Sequence, residues 1–328
     1  MIPIPQDLAR EAAATGFGAE PLAKVHRLLA LLDALGRHPF LKERLALKGG
    51  TALNLFHFDV PRLSVDIDLN YLGSADRDAM LADRPKIEQA IQAVCSREGL
   101  AIKRVPSDHA GGKWRLSYAA PEGAPGNLEL DVNFMLRTPL WPCVVMGSRP
   151  AISPRVASTR VLDLHEIAAG KTAALLARTA SRDLFDCHAL LAVPGLDAAK
   201  LRLGFVVYGG INRRDWRTVS AADVTADANE VRTALVPMLR ADLAPARGDI
   251  AAWVGKLVAD CRERLSALLP LNEAELEFLR RLNDEGRIAP ELLTADAAMQ
   301  TIIREHPHLR WKARNVREYR GLPAAEDE

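Results

Sequence analysis

The stretch Lys48-Gly49-Gly50-Thr51-Ala52-Leu53-Asn54-Leu55, followed by Pro61-Arg62-Leu63-Ser64-Val65-Asp66-Ile67-Asp68-Leu69-Asn70, decides the fold. Val65, Ile67, Leu69 and Tyr71 fall on one parity, and Asp66, Asp68 and Asn70 on the other. That is the period of a half-buried strand. One face of the strand packs on a core, and the other carries two carboxylates roughly 6.5–7 Å apart along the backbone. Like charges that close repel, so the ionised pair is costly unless a cation sits between them. The plain alternative is a polar strand face with two solvated aspartates. The upstream glycines weigh against it, because two glycines between an apolar stretch and a helix-like segment let backbone N–H groups approach an anion closely. A phosphate cradle at Gly49, Gly50 and Thr51, followed by a metal-binding carboxylate pair, is what nucleotide chemistry needs.

The 328 residues suggest one large domain or two smaller ones. Apolar residues make up 48% and charged residues 26%, enough to bury a real core. A net charge of +1 gives no global signal for nucleic acid, so any such binding must come from a local patch. Cys95, Cys143, Cys187 and Cys261 lie far apart without a Cys-x-x-Cys, and read as free thiols in a reducing compartment. Met1-Ile2-Pro3-Ile4-Pro5-Gln6 is no signal-peptide core, and no apolar run reaches the roughly eighteen residues of a membrane span. A cytoplasmic protein without membrane contact is expected.

Along the chain, helical spacing over 20–47 breaks at His38-Pro39. A short helix is predicted from Thr51, as N-cap, to about Phe58. Arg62 and Ser64 stand just before the acidic strand, as triphosphate contacts or as a loop arginine and turn serine. Residues 74–98 read as two helices or one kinked at Pro85, capped by Gly99. Strands are predicted over 100–105 and 113–118, joined by a hairpin loop, 107–112, in which His109 is solvated. In the next strand, 128–134, Leu128, Leu130, Val132 and Phe134 share one face, and Glu129, Asp131 and Asn133 the other. Residues 137–160, with four prolines, read as a long surface connection.

Gly-Gly, a short helix and then Asp-x-Asp on a strand resemble the polymerase-β-like nucleotidyltransferase superfamily. More narrowly, Lys48-Gly49-Gly50-Thr51-Ala52-Leu53 with Arg62-x-Ser64-x-Asp66-Ile67-Asp68-Leu69 is similar to the AbiEii/AbiGii toxin family, which includes the MenT toxins. The resemblance implies a third carboxylate on a neighbouring strand. Asp131 is its natural candidate and Glu129 the rival.

A second signature begins at Asp163-Leu164-His165-Glu166, a capping-box pattern. The helix runs through Lys171, set among Ala168, Ala169, Ala174 and Ala177, to Arg178. Arg182-Asp183-Leu184-Phe185-Asp186 opens another. On the residues alone, Arg182 and Asp186 read as a surface i,i+4 pair with Lys171 solvated. In the family this lysine and the Arg-Asp-x-x-Asp element complete the nucleotide site. Lys171 then neutralises a triphosphate, Arg182 contacts the nucleotide, and Asp183 or Asp186 holds the lysine or activates the acceptor.

Residues 200–268 read as largely helical. Within them Tyr208-Gly209-Gly210-Ile211-Asn212-Arg213-Arg214-Asp215-Trp216-Arg217 reads either as a phosphate-gripping, base-stacking segment or as a loop pinned by its tryptophan. Asn272 with Glu275 opens a capped helix, and another spans 294–304. Residues 306–320 are basic and 324–328 acidic.

The expected fold is α/β: a polymerase-β-like core, a small mixed sheet with helices over 1–198, then a mostly helical region over 199–328. The resemblance implies a nucleotidyltransferase toxin of a type IV-like toxin–antitoxin pair with a separate antitoxin. In this reading Asp66 and Asp68, with Asp131, hold Mg²⁺ or Mn²⁺, and a nucleoside triphosphate is the substrate. The acceptor is the 3′ end of tRNA, to which the basic-aromatic stretches 208–217 and 308–320 lend support. The alternatives are a protein nucleotidylyltransferase or kinase, and a silent nucleotide sensor.

Overall fold

The computed structural model describes residues 5–105, 111–119, 126–152, 155–156, 158–246 and 248–323. His109 and the acidic residues 324–328 lie outside these. The chain divides into two compact units, Met1–Leu164 with Arg232–Arg247, and His165–Val231 with Gly248–Glu328.

The first unit is built on a sheet. In chain order it contains α1 (Pro5–Thr15), α2 (Ala19–Arg37), β1 (Leu45–Lys48) and α3 (Gly49–Ala52). After α3 a π-type turn runs over Leu53–His57, and β2 (Asp66–Tyr71), α4 (Arg77–Arg97), β3 (Ala101–Arg104) and β4 (Gly111–Tyr118) follow. Then come β5 (Gly126–Asn133), β6 (Val144–Met146) and β7 (Thr159–Val161). Among the described residues the strands form one sheet in the order β3-β4-β5-β2-β1-β7-β6. β2 runs parallel to β5 and β1 parallel to β7, and the remaining pairs are antiparallel.

Alternation sets which face is buried. Ile67, Leu69 and Tyr71 on β2 and Leu128, Leu130 and Val132 on β5 are buried, as their parity predicts. Against them lies α2, with Leu22, Val25, Leu28, Leu29, Leu32 and Leu35 inside. α4 is one helix with Pro85 inside it, buried through Met80, Ile87, Ile91 and Val94. Gly99 follows at φ +70°, as its place after the helix requires. Three short strands were not expected from the sequence: β1, where 40–47 leads into the glycines, and β6 and β7 within the proline-rich 137–160. Runs of three or four residues are too short for a period to show. Residues 232–247 pack on the loop before β2. Leu63 N–H donates to Met238 O at 2.8 Å, Arg240 N–H to Pro61 O at 3.1 Å, and Arg62 bridges Leu239.

The second unit is helical: α5 (Leu164–Arg178), α6 (Ser181–Leu190), α7 (Ala198–Ile211), α8 (Ala228–Glu230), α9 (Ile250–Arg264), α10 (Glu273–Glu285), α11 (Ala297–Arg304) and α12 (Pro307–Arg320). The expected continuous helicity over 200–268 is corrected, because 212–249 is mostly short turns. Asn272 and Glu275 cap α10 reciprocally, at 2.9 and 2.8 Å. Gly286 ends it at φ +60°, where a Cβ would run into Ala313 O. Among the described residues no helix is long and apolar enough to cross a membrane.

Leu130, fully buried on β5, tests the core assignment. Leu130→Ala is expected to lose roughly 2–5 kcal/mol of stability by urea denaturation. An unchanged midpoint would place that side chain outside the core.

Candidate active site

The acidic strand stands where its neighbours place charge in register. Asp68 pairs with Lys48 on β1 and with Asp131 on β5, and Asp131 pairs with Lys113 on β4. Cross-strand partners share a face, so one row reads lysine, aspartate, aspartate, lysine. The adjacent row brings together Asp66, Glu129 and Arg115. Asp66, Asp68 and Asp131 are half-buried. Lys113 Nζ lies 2.6 Å from Glu129 Oε2. That hydrogen bond, reinforced by the fields of Glu129, Asp66 and Asp68, raises the Lys113 pKa. The same bond draws the Glu129 carboxyl below its ordinary value. Glu129 is therefore engaged by Lys113, which leaves Asp131 as the acid directly beside Asp68.

Gly49 ties the glycine pair to the carboxylates. It sits at φ +73°, a region side chains rarely adopt, and a Cβ there would run into the Asp68 carboxylate, with Asp68 Cγ at 3.1 Å. The loop can pass that close to Asp68 because the residue is glycine. The expected cap at Thr51 is corrected: Lys48 holds the cap position, without a side-chain bond, and the helix starts at Gly49. Thr51 is buried. Its hydroxyl lies 3.0 Å from Ser64 Oγ and donates to the Asp66 carbonyl. Arg62 is buried too and donates from Nη1 to Leu63 O at 2.8 Å. Thr51, Ser64 and Arg62 thus brace the entry to β2 from inside. The groups facing outward beside the acids are the two lysines of the row. Asn70, two residues beyond Asp68 on its face, is 1% exposed, and neither atom of its amide finds a hydrogen-bond partner.

An all-oxygen donor set on one strand face fits a hard divalent cation in chemistry. Asp66 and Asp68 supply it, with Asp131 in register. Among the described residues no three His, Cys, Asp or Glu side chains are gathered into a ready cluster.

The second signature lies in the second unit and is described by itself. Lys171 Nζ on α5 is 3.0 Å from Asp183 Oδ1 and 2.7 Å from Asp186 Oδ2, both on α6. Arg178 Nε is 2.7 Å from Asp183 Oδ2. The reading of a solvated Lys171 is overturned, its side chain being 11% exposed between two buried acids, and Asp186 is fully buried and so no surface residue, while Arg182 is exposed. Small neighbours such as the buried Ala168 and Ala169 keep the helices close enough for these contacts. Burial alone would push the Asp183 carboxyl up, but Lys171 and Arg178 outweigh it and hold it below the usual range. Glu166, expected to close a capping box, accepts from the Tyr208 hydroxyl at 2.9 Å.

Of the two readings for 208–217, the pinned loop is the observed one. Trp216 is fully buried against Phe205, ring centres 5.3 Å apart. Arg214 pairs with Asp223 at 2.8 Å, and Arg217 with Asp215 and Asp284 at 2.6 Å. Arg213 alone of the three stays exposed. The sequence reading missed Lys48 and Lys113 as flanks of the acids. Both were legible as lysines, but their register was not.

The model of the nucleotidyl transferase AbiEii toxin family, type IV toxin–antitoxin systems, matches residues 31–324. Among solved structures the chain is similar to MenT4, a nucleotidyltransferase toxin from Mycobacterium tuberculosis H37Rv. The TM-score is 0.61 at 19% identity, covering 92% of this chain and 99% of that one. At that identity the likeness carries the fold. No curated protein matches the chain.

Gly49→Ala is expected to displace the Asp68 carboxylate and lower turnover at least about tenfold, while circular dichroism shows an intact fold. Wild-type turnover in this variant would detach the glycine from the site. Asp183, depressed in the folded state, contributes stability that is present above its unfolded pKa of about 3.9 and lost as pH falls through the lower folded value. The melting temperature of the wild type should therefore drop on acidification below roughly pH 4. Asp183→Asn should flatten that fall and lower stability at neutral pH, and superimposable pH profiles would refute the buried pairing.

Proposed function

The chain belongs to the AbiEii nucleotidyltransferase toxin family, and from that premise we propose that it transfers a nucleoside monophosphate to the 3′ end of tRNA with a divalent metal held by Asp66 and Asp68. The family makes it an enzyme, the toxin of a type IV toxin–antitoxin pair, with a nucleoside triphosphate as substrate and an antitoxin as partner. The observation that carries the reading is the packing of Gly49 against the Asp68 carboxylate. It places backbone able to approach phosphate beside an acid able to hold a cation.

In this reading Gly49 and Gly50 open the helix whose free N–H groups face the triphosphate. Mg²⁺ or Mn²⁺, when bound, neutralises phosphate oxygens and supplies electrophilic assistance at the α-phosphorus. Asp131, in register with Asp68, completes the acidic row and biases it toward a bound cation. Lys48 and Lys113 flank the acids as counter-charges for phosphate. The acceptor hydroxyl attacks in line, and pyrophosphate leaves. Lys171 serves turnover as a cation held by Asp183 and Asp186, with Arg182 exposed at the start of α6. The tRNA acceptor follows from the sequence resemblance and from the basic character of α12.

The test is transfer from each nucleoside triphosphate, radiolabelled at the α-phosphate, to total tRNA. The wild type should label tRNA with one or more bases, and a γ-label should not be retained. Asp68→Ala should lower transfer by roughly a hundredfold or more while its melting temperature stays close to wild type, because removing one of two repelling carboxylates costs little. Label on protein alone, or retention of the γ-phosphate, would overturn the tRNA reading.

A further inference from the structure

Helix α12 carries two aromatic side chains that the core does not use. Trp311 is 46% exposed and Tyr319 90%. They stand eight residues apart, so they share one stripe of the helix, roughly 12 Å apart along its axis. The same helix holds five basic residues against one acid, Glu318. Its aromatic stripe, with Lys312 and Arg320, forms one wall of a cleft of about 310 Å³ within the second unit. Arg213, from the segment after α7, and Asn283 of α10 also line it.

Three details give the cleft a chemistry. Asn283 Oδ1 is buried without a hydrogen-bond partner, an acceptor waiting for a donor. The exposed guanidinium of Arg213, in the lining, has no carboxylate in ion-pair reach among the described residues. Asp215 and Asp284, outside the lining, are already matched, Asp215 by Arg217, and Asp284 by Arg217 and Arg320. Lys312 is fixed there by donating to Gly210 O at 2.6 Å and Asn212 O at 2.9 Å, so its ammonium ties the end of α7 to α12.

Exposed planar rings, an orphan amide acceptor and an unmatched guanidinium form the set that takes an unstacked base and its phosphates. A protein partner of ordinary composition would explain the rings but not the unmatched Arg213 and the buried acceptor together. We propose that this cleft binds an unpaired stretch of RNA, with bases stacked on Trp311 and Tyr319, a base N–H donating to Asn283, and phosphates met by Arg213 and Arg320. The proposal deepens the RNA-acceptor reading and rests on it for its purpose. The binding itself needs no catalysis.

The probe is a short fluorescein-labelled single-stranded RNA of mixed sequence, titrated with the full chain and followed by anisotropy at several salt concentrations. The wild type should bind, with a salt slope of roughly 0.7 per phosphate neutralised. Trp311→Ala with Tyr319→Ala should weaken binding by at least about tenfold, since each stacked ring is worth roughly fivefold to a hundredfold. Trp311→Phe with Tyr319→Phe should restore most of it. Both rings are exposed, so melting temperatures should match wild type. The titration needs neither metal nor nucleotide, so binding lost in the double-alanine variant bears on the cleft, while transfer by Asp68→Ala bears on the reaction, which separates failure of the two readings. Equal affinity of wild type and the double-alanine variant, or no RNA binding by the wild type at low salt, would overturn the proposal.

Discussion

The structure of the acidic face depends on one close approach, that of the Gly49 backbone to the Asp68 carboxylate. Two carboxylates on alternate positions of a strand are mutually repulsive, and a strand gains nothing by carrying them. What makes the pair useful is what stands around it. A loop without a Cβ can pass at contact distance, and register sets a lysine on either side of the acidic row. The buried groups below the face serve that placement. Thr51 and Ser64 lock the short helix to the start of β2, and the returning segment 232–247 holds the loop before it. Polar side chains near a phosphate motif invite a reading as phosphate ligands, and here several are the frame behind it.

The second unit handles charge differently. Lys171 and Arg178 meet Asp183 and Asp186, two charges of each sign, with both acids and most of Lys171 out of water and the Arg178 side chain 66% exposed at the rim. Such a cluster is held together by the cost of breaking it, because removing one partner leaves a buried charge unpaired, at roughly 3–5 kcal/mol. A lysine fixed this way is an oriented cation. That distinguishes it from the freely moving ammonium that helix spacing alone suggested.

The aromatic and basic residues of this unit show how composition misleads without burial. Trp216 and Trp311 both sit beside arginines, in the two basic-aromatic stretches of the sequence. The first is sealed against Phe205, with Arg214 and Arg217 tied to acids. The second faces outward on α12. Spacing places residues on a helix face, but whether that face meets a neighbour is decided by packing.

The acidic strand, the glycine pair before it, the second acidic strand and the lysine-plus-acid helices were all legible in the residues alone. Each is a local pattern: a period of two, a pair of residues that tolerate positive φ, a capping box. The chain's resemblance to a nucleotidyltransferase toxin family rested on those same motifs. Long-range packing of the chain fixed what local pattern cannot carry. It paired β2 with β5 so that Asp131 stands beside Asp68 and Glu129 goes to Lys113. It made strands of 45–48, 144–146 and 159–161, which are too short to show a period. It turned Thr51, Ser64 and Arg62 inward, and drew Lys171 between two buried aspartates. Register, burial and ion pairing are relations between residues far apart in the chain, and their energies come from which surfaces meet.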